Sequence, residues 1–218
     1  MLTANSSEIL QLREDLRRLQ PPYLLRKYDA TQEDYDSIAD EDLRCEFIDG
    51  VLIVHSPASV HHEERLVFLA TLVNMFAASK QLGRVFGSNT VMELGQRRLC
   101  PDLSFLRTDH ADRIQRGRVV GPMDLVIEMV SKSTRDYDLG EKRNAYHEGR
   151  IPEIWFIDAE LKQCQIDQLE DDTYSTRTLT TGRFTSRILP GLSLEVAWFW
   201  SDPPPNPLEC LKVATGGV

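Results

Sequence analysis

Hydrophobic and polar positions alternate along the chain in patterns that predict both helices and strands. Apolar residues recur at helical spacing within residues 6–20, at Ile9, Leu12, Leu16 and Leu19. The spacing predicts a helix, and Pro21 and Pro22 would end it. Acidic residues follow Thr31, and a helix prefers a threonine cap and acids in its first turn. The pattern therefore predicts a second, short surface helix after Thr31.

A hairpin and a long helix come next. Residues 45–48 and 51–54 are strand-like and flank Asp49-Gly50, a strong signal for a two-residue hairpin turn. After residues 56–59, a helix is predicted to run to about Lys80. Its apolar stripe, spaced four, three and four residues apart, consists of Leu66, Leu69, Val73 and Phe76. The stripe extended backward by four residues reaches His62.

The remaining chain is predicted to be rich in strands. Strand-like runs lie at residues 84–94, 100–106, 124–130 and 153–158. A helix is predicted at 137–147, and the proline-rich residues 201–218 are expected to be extended or disordered. This order predicts an α/β fold in mixed arrangement, divided into an N-terminal helical, acidic extension, a main domain and a C-terminal tail, at residues 1–43, 44–200 and 201–218.

Composition favours a globular chain in a reducing compartment. Apolar residues make up 41% of 218 residues, which is enough for one sizeable core. The longest apolar-rich stretch, residues 66–73, is far shorter than the roughly 18 to 20 residues that span a bilayer. The four cysteines form no CxxC pair and are too sparse for a disulfide scaffold. We therefore expect a cytoplasmic protein without a membrane partner.

The net charge lowers the expectation of nucleic-acid binding without excluding it. There are 25 Lys and Arg residues against 34 Asp and Glu residues, a formal charge of −9. Most of that excess is local, because residues 29–42 hold no Lys or Arg but seven acids, at Asp29, Glu33, Asp34, Asp36, Asp40, Glu41 and Asp42. The rest of the chain is close to neutral and can still carry a basic groove.

Two acids in apolar strands are the first candidates for chemistry. Glu128 has apolar neighbours on both strand faces, so a central, covered strand is predicted. A carboxylate there needs a cation, a metal ion or a proton; one arginine would also satisfy it. Asp102 follows Pro101 at a strand start, which alone is often only structural. Adjacent strands could place both carboxylates around one Mg²⁺.

A second set of candidates depends on helix and hairpin spacing. Asp138, Lys142 and Tyr146 lie at i, i+4 and i+8 and share one helix face, although a solvated ion pair would show the same spacing. His62 could be a satisfied histidine at the end of its stripe. Glu46 faces away from Phe47 in the hairpin and could be exposed to solvent.

The order of five sequence blocks resembles a known family. The blocks are Glu46–Gly50, Ser56–Ser59 with His62, Pro101–Leu103, Glu128–Thr134, and Asp138–Arg143 with Tyr146. Across residues 44–158 they resemble the putative restriction endonuclease family of bacteria, within the PD-(D/E)xK nuclease superfamily. The resemblance implies a restriction-endonuclease-like core, a mixed central β-sheet flanked by helices.

The resemblance also implies roles for individual residues. Asp102 and Glu128 would bind Mg²⁺ or Mn²⁺, and Glu46 would be a further ligand or lie behind the ligands. In the superfamily a lysine stands two residues after the second acid, but here that position is Val130. Lys142 falls where the family places a helical lysine and would orient or deprotonate the attacking water.

Supporting roles complete the expected site. His62 would bind phosphate or assist proton transfer. Asp138 would hold Lys142 in place, and Tyr146 would support it by packing or hydrogen bonding. Arginines that bracket the Asp102 strand are candidates for gripping a DNA backbone, although loop arginines often serve only solubility: Arg97, Arg98, Arg107, Arg113, Arg116 and Arg118.

The leading prediction is therefore a metal-dependent endonuclease acting on nucleic acid, with DNA favoured. The alternative is a nuclease fold without catalysis that binds nucleic acid or protein, which the acidic charge and Val130 favour. Glycoside hydrolysis by two carboxylates is a weaker alternative, because an aromatic-rich sugar surface is lacking. A homodimer is a further expectation from the resemblance and from the apolar residues 196–200, which could form a surface patch.

Overall fold

The computed structural model describes residues 15–16, 18–39 and 43–216. The helix predicted at residues 6–20 lies largely outside this described part. The helices are α1 (Gln32–Ile38), α2 (Val60–Ser79), α3 (Arg135–Tyr137), α4 (Arg143–Glu148) and α5 (Pro207–Ala214). A π-helical turn, Asp138–Lys142, joins α3 to α4, and 3-10 turns span Thr108–Arg113 and Val196–Trp200.

The strands form two large sheets and one small sheet. A seven-stranded sheet has the order β1-β3-β2-β6-β5-β9-β8, and a six-stranded sheet has the order β13-β12-β11-β10-β7-β4. The first eight strands are β1 (Leu24–Lys27), β2 (Cys45–Ile48), β3 (Val51–His55), β4 (Gly83–Gly87), β5 (Met92–Leu94), β6 (Arg97–Leu99), β7 (Leu103–Arg107) and β8 (Ile114–Gln115). The others are β9 (Arg118–Val120), β10 (Leu125–Val130), β11 (Glu153–Asp158), β12 (Gln163–Glu170), β13 (Thr173–Leu179) and the small-sheet pair β14 (Arg183–Thr185) and β15 (Ser193–Glu195).

The predicted hairpin and the predicted short helix after Thr31 are both present, together with one strand that was not predicted. Asp49 and Gly50 adopt φ of 47° and 85°, the left-handed conformation that a tight hairpin turn between β2 and β3 requires. Thr31 and Asp34 cap α1 reciprocally. The added element is β1, which pairs with β3. Part of the predicted N-terminal extension thus belongs to the same sheet as the main domain.

The six-stranded sheet is covered on both faces. On one face the α2 stripe packs with all four of its predicted residues buried, at Leu66, Leu69, Val73 and Phe76. The other face packs against the seven-stranded sheet, α3 and α4. Each face takes alternate residues of β10, so all six residues of this strand are buried. Strands β10 and β11 are parallel and are joined by the α3–π–α4 segment.

The helix predicted at residues 137–147 is present but contains a π turn. Asp138 accepts a hydrogen bond from the Arg143 N–H, five residues on. Such single π turns occur often at functional sites. Asp138, Lys142 and Tyr146 are all buried, so the helix face that they share points inward rather than to solvent.

Two expectations for the C-terminal region are wrong. Residues 201–218 were expected to be extended, but Asn206 caps α5 and Pro207 opens it. Buried Cys210 and Ala214 hold α5 on the core beside α2. Residues 196–200 were expected at the surface, but Val196 and Phe199 are buried and Trp198 and Trp200 pack against the same core. This stretch therefore gives no support for a dimer surface or a sugar-binding surface.

The cap of α5 provides a test of its contribution to stability. The Asn206 side chain accepts a hydrogen bond of 2.9 Å from the Leu208 N–H. Asn206→Ala removes this bond, so we expect the free energy of unfolding to fall by about 1 kcal/mol. Urea unfolding followed by circular dichroism measures the change. Asn144→Ala, at an exposed position of α4, is the control and should change stability by less than about 0.5 kcal/mol. Equal effects of the two changes would contradict the cap.

Two absences apply to the described residues. Among them, no helix is long and apolar enough to cross a membrane. The four cysteines all lie in this part of the chain and are buried free thiols, in agreement with the expectation of no disulfide framework.

Candidate active site

Glu128 lies in the middle of the six-stranded sheet and is 1% exposed. It sits on β10 between β11 and β7, as expected for a central covered strand. Its Oε1 accepts a hydrogen bond from the Tyr146 hydroxyl and lies 2.9 Å from Lys142 Nζ. A lysine and a tyrosine from the following helical segment therefore compensate the buried acid.

Lys142 contacts Glu128, the acid that is followed two residues later by Val130 instead of the lysine of the superfamily pattern. Its Nζ also lies 3.0 Å from Glu46 Oε1 and donates to the Cys100 carbonyl oxygen at 3.3 Å. Lys142 is 0% exposed, and the groups around its Nζ are two carboxyl oxygens and one carbonyl oxygen, of which the carbonyl accepts a hydrogen bond. Burial alone would lower its pKa, but Glu128 and Glu46 outweigh burial and raise it. Lys142 is therefore a fixed positive charge between Glu46 and Glu128.

Glu46 is buried behind Lys142 rather than exposed. Its Oε1 accepts a bond of 2.7 Å from the Cys100 N–H, and its Oε2 lies 2.7 Å from both the Tyr137 hydroxyl and His55 Nε2. Burial would raise its pKa, but Lys142 and His55 outweigh burial and lower it. With both oxygens engaged, Glu46 matches the expected group behind the ligands better than a metal ligand.

Asp102 directly precedes β7, the strand next to that of Glu128. The β7–β10 register pairs Leu103 with Ile127, so Asp102 is placed opposite Glu128. Asp102 Oδ2 accepts a hydrogen bond of 2.8 Å from the Met129 N–H, and Oδ1 lies 2.7 Å from Arg44 Nη1. Burial would raise its pKa, but Arg44 and His62 hold the pKa well below its usual value.

His62 lies beside Asp102, as the extended apolar stripe of α2 indicates. Its Nε2 is 3.6 Å from Asp102 Oδ2, and its side chain is 17% exposed. Burial would lower its pKa, but hydrogen bonding and charge interaction with Asp102 outweigh burial and raise it. His62 is therefore placed to carry positive charge next to the acid.

A cavity of about 260 Å³ joins these groups. His62, Asp102, Glu128 and Asp138 line it, whereas Glu46, Lys142 and Tyr146 lie behind its wall. The loop between β10 and α3 adds further polar residues to the lining, Ser131, Lys132, Ser133 and Thr134. We call this space the carboxylate cavity. Its lining contains three acids, two imidazoles (His55 and His62), the Arg44 guanidinium and the Lys132 ammonium group.

Burial, together with the negative charges around the cavity, raises two pKa values. Burial raises the pKa of Glu128 to about 8, and the charges of Asp102, Asp138 and Glu46 add to the rise, while Lys142 opposes it. Burial also raises the pKa of Asp138 to about 6. Within the described residues, the ion pairs of Lys142 are with Glu46 and Glu128, while Asp138 makes no ion pair with Lys142 but its charge still acts to raise the pKa of the lysine.

These pKa shifts predict a specific pH dependence of stability. The pKa of Glu128 is 4.5 ordinarily and about 8 when folded. The folded state binds the proton more tightly, so the stabilisation is full below the unfolded pKa and is lost as the pH rises through the folded pKa. From pH 4.5 to about 8, the unfolding free energy of the native chain should fall relative to Glu128→Gln. Urea unfolding across this range checks it, and a constant difference between the two proteins would contradict the raised pKa.

Buried polar atoms without hydrogen bonds are concentrated at the carboxylate cavity. Within the described residues, Arg44 Nε, His62 Nδ1 and Asp102 Oδ1 are buried without a hydrogen-bond partner, and all three residues line this cavity. Leaving such a group unsatisfied costs about 1–3 kcal/mol each. Unsatisfied groups in a folded protein require an explanation, and a bound ligand is one.

The donor set fits a magnesium ion held by two carboxylates. Among the described residues, no group of three or more His, Cys, Asp and Glu residues is arranged to hold a metal. Magnesium needs only one or two carboxylates, with waters and phosphate oxygens completing the octahedron. Asp102 and Glu128 can supply that number, because Asp102 Oδ1 lacks a hydrogen bond and both Glu128 contacts fall on Oε1.

The arginines expected to bind nucleic acid do not line the carboxylate cavity. Arg97 pairs with Asp49 and Glu148. Arg98 pairs with Glu93, and Arg113 donates to the Pro122 carbonyl oxygen. Arg116 borders a separate cavity. Arg107 pairs with Asp109, and Arg118 pairs with Glu93 and Asp36. The basic residues that do line the carboxylate cavity include Arg44 and Lys132.

Three residues of the site escaped the sequence analysis. Arg44 binds Asp102, while His55 and Tyr137 bind Glu46. Strand alternation was a usable signal for Arg44, because residues two apart on an extended chain share a face and Arg44 precedes Glu46 by two. No sequence spacing connects Tyr137 to Glu46, which lies 91 residues away.

Fold and site together define a restriction-endonuclease-like protein, with acids on neighbouring strands and a lysine from the following helical segment. Residues 32–197 match the Uma2 family model, described as "Putative restriction endonuclease". The chain belongs to this family. The resemblance inferred from the five sequence blocks is thereby confirmed.

A solved structure shares the fold. It is a putative nuclease belonging to DUF820 from Anabaena variabilis ATCC 29413. The TM-score is 0.67 at 14% sequence identity, and the match covers 78% of this chain and 97% of that chain. At this identity the likeness shows the fold alone. A comparison with curated proteins finds no match.

Proposed function

We propose that the chain is a metal-dependent endonuclease that hydrolyses phosphodiester bonds in nucleic acid, with DNA the favoured substrate. The observation that carries the proposal is the buried Glu128–Lys142 pair beside Asp102 at one cavity. A purely structural core would rarely collect so many buried charges, since each costs free energy to desolvate. Membership of the putative restriction endonuclease family supports the same reaction class.

Asp102 and Glu128 would hold Mg²⁺, or Mn²⁺ in its place. When bound, such an ion polarises a phosphate and lowers the pKa of a bound water. The chain itself prepares these ligands. The Met129 N–H orients Asp102, while Lys142 and the Tyr146 hydroxyl orient Glu128 through Oε1. Fixed ligands of this kind lower the reorganisation needed during reaction.

Cavity-lining basic groups would act on the substrate directly. His62 lines the cavity, and its Nδ1 makes no hydrogen bond although it lies 3.4 Å from Glu63 Oε1, so it could donate to a phosphate oxygen or pass a proton to the leaving oxygen. Lys132 lines the same wall and would offset phosphate charge. Lys142, which is fully buried and does not line the cavity, would act through Glu128 rather than by contacting the attacking water.

The test is cleavage of supercoiled plasmid and single-stranded DNA with Mg²⁺ or Mn²⁺, with RNA as a further substrate. We expect nicking by the native chain and none by Asp102→Asn, because Asn cannot supply the charge that the ion requires. Calorimetric titration with Mn²⁺ should show binding only to the native chain. Metal-dependent cleavage retained by Asp102→Asn would remove Asp102 from the site.

A catalytically inactive binding module is the second candidate. The observation that favours it is that protein groups already compensate the charges of Lys142 and Asp102: Lys142 lies between Glu46 and Glu128, and Asp102 pairs with Arg44. Such a module would bind nucleic acid or protein without needing a metal. Nucleic-acid binding without Mn²⁺ binding or cleavage would support it. Sedimentation of the native chain would separately test the homodimer expected from the family resemblance.

A further inference from the structure

The Arg44–Asp102 ion pair is close but incompletely hydrogen-bonded. Arg44 Nη1 lies 2.7 Å from Asp102 Oδ1, yet the alignment does not make a hydrogen bond, and both Oδ1 and Arg44 Nε are buried without a partner. The guanidinium also donates a hydrogen bond of 2.7 Å from Nη2 to the Cys100 carbonyl oxygen. Better-bonded arginine–aspartate pairs in the same chain include Arg143–Asp167. The Arg44 pair is thus held by charge more than by geometry.

Arg44 also borders three cavities. It lines the carboxylate cavity, and it lines a second cavity of about 450 Å³ with Arg116, Arg118 and Asn89. The described lining of this second cavity contains three arginines and no Asp or Glu. A third cavity of about 590 Å³ borders Arg44, Tyr23 and Asn89. The guanidinium therefore has adjacent space into which it could turn, and part of that space is electrostatically suited to an anion.

A divalent cation and Arg44 would compete for the same carboxylate oxygen. Oδ2 of Asp102 already accepts from the Met129 N–H, so Oδ1 is the atom that would take an ion, and Arg44 lies against it. Two cations a few ångströms apart in a partly buried site repel each other strongly. Occupation of Oδ1 by the ion would therefore release Arg44 from Asp102.

We propose that Arg44 is an exchangeable counter-ion of Asp102, which yields the carboxylate to the divalent cation and then binds a phosphate oxygen of the nucleic acid. This inference rests on the proposed function of the carboxylate cavity. A guanidinium suits both roles, because it binds carboxylates and phosphates through the same donors. The exchange would couple metal binding to capture of the phosphate that is to be cleaved.

The first test is calorimetric titration of Mn²⁺ into the native chain, Arg44→Gln and Arg44→Lys. Glutamine retains donors for Cys100 and Asp102 but removes the competing charge, so Mn²⁺ should bind about tenfold or more tightly. Lysine keeps the charge and should leave the affinity near the native value. Arg135→Gln is the matched control, since Arg135 forms an ion pair of 2.7 Å with Asp158 at similar exposure and does not line the cavity.

The second test measures phosphate capture without turnover. A phosphorothioate oligonucleotide is titrated into each protein at saturating Mn²⁺. Arg44→Gln should bind it about tenfold more weakly than the native chain does, because a charged hydrogen bond to phosphate is lost. Arg135→Gln should bind it as the native chain does. Thermal unfolding in the absence of metal verifies that each variant is folded, and Arg44→Met replaces Arg44→Gln if the latter is not.

The outcomes separate the exchange from the proposed function. Tighter Mn²⁺ binding with weaker oligonucleotide binding supports the exchange, even if no protein cleaves DNA. Equal or weaker Mn²⁺ binding by the charge-free variant overturns it, even if the native chain cleaves. Failure of the native chain and of the charge-free variant to bind Mn²⁺ would overturn both proposals.

Discussion

Glu128→Gln is expected to abolish metal-dependent cleavage while leaving the protein folded. Glutamine can still accept bonds from the Tyr146 hydroxyl and Lys142, which are the contacts of Glu128 Oε1. It cannot supply the negative charge that a divalent ion requires, so we expect the rate to fall by about 10³-fold or more, to the detection limit. Nicking of plasmid DNA over a time course measures the loss, and Mn²⁺ calorimetry should show greatly weakened binding.

The matched control for this change is Glu160→Gln. Glu160 carries the same chemical group on the surface, 58% exposed and paired with Arg135. The Glu160→Gln variant should cleave DNA and bind Mn²⁺ as the native chain does. If Glu128→Gln bound Mn²⁺ with native affinity, Glu128 would not be a ligand, and the carboxylate cavity would need another explanation.

Lys142→Met is expected to destabilise the protein severely. The lysine is the positive charge between Glu46 and Glu128, which would then lie in the core without it. Removing one partner of a buried ion pair leaves an uncompensated charge, so the free energy of unfolding should fall by about 3–5 kcal/mol. Guanidinium unfolding monitored by fluorescence measures this loss.

A surface lysine provides the comparison for Lys142. Lys212 pairs with Glu209 on α5, but its side chain is 62% exposed. Lys212→Met should change stability by less than about 0.5 kcal/mol. A loss of under about 1 kcal/mol in Lys142→Met would mean that Glu46 takes up a proton at little cost, contrary to its lowered pKa.

Local patterns were sufficient for most elements that carry the site. The Asp49-Gly50 turn, the α2 stripe and the covered strand around Glu128 were all predicted, because each depends on neighbours in sequence and on one periodicity. Where prediction failed, the deciding contact was distant. Residues 207–214 form a helix on the core only because α2 and its neighbours present an apolar surface to Cys210 and Ala214.

The candidate site divides along the same line. Sequence order and residue type identified four candidate site residues, Asp102, Glu128, Lys142 and His62. The structure brings them together, with His62 beside Asp102 and Lys142 beside Glu128, although Lys142 lies behind the cavity wall. They could be found because their strands and helices follow one another closely. The partners that set their charge state include Glu46 on β2 of the seven-stranded sheet and Arg44 directly before that strand. Strand alternation relates Arg44 to Glu46, but no spacing in a single sequence relates either residue to Asp102 or Lys142.

By itself, the sequence determined the kinds of elements, the buried acid on a central strand and the resemblance to one family. These properties are encoded locally, in hydrophobic periodicity, turn residues and short motifs. Folding brings Lys142 between Glu46 and Glu128 and pairs Arg44 with Asp102. It also places the arginines that were expected to bind DNA away from the carboxylate cavity. The physical reason is that charge compensation in a low-dielectric interior depends on distances of a few ångströms, which folding alone sets.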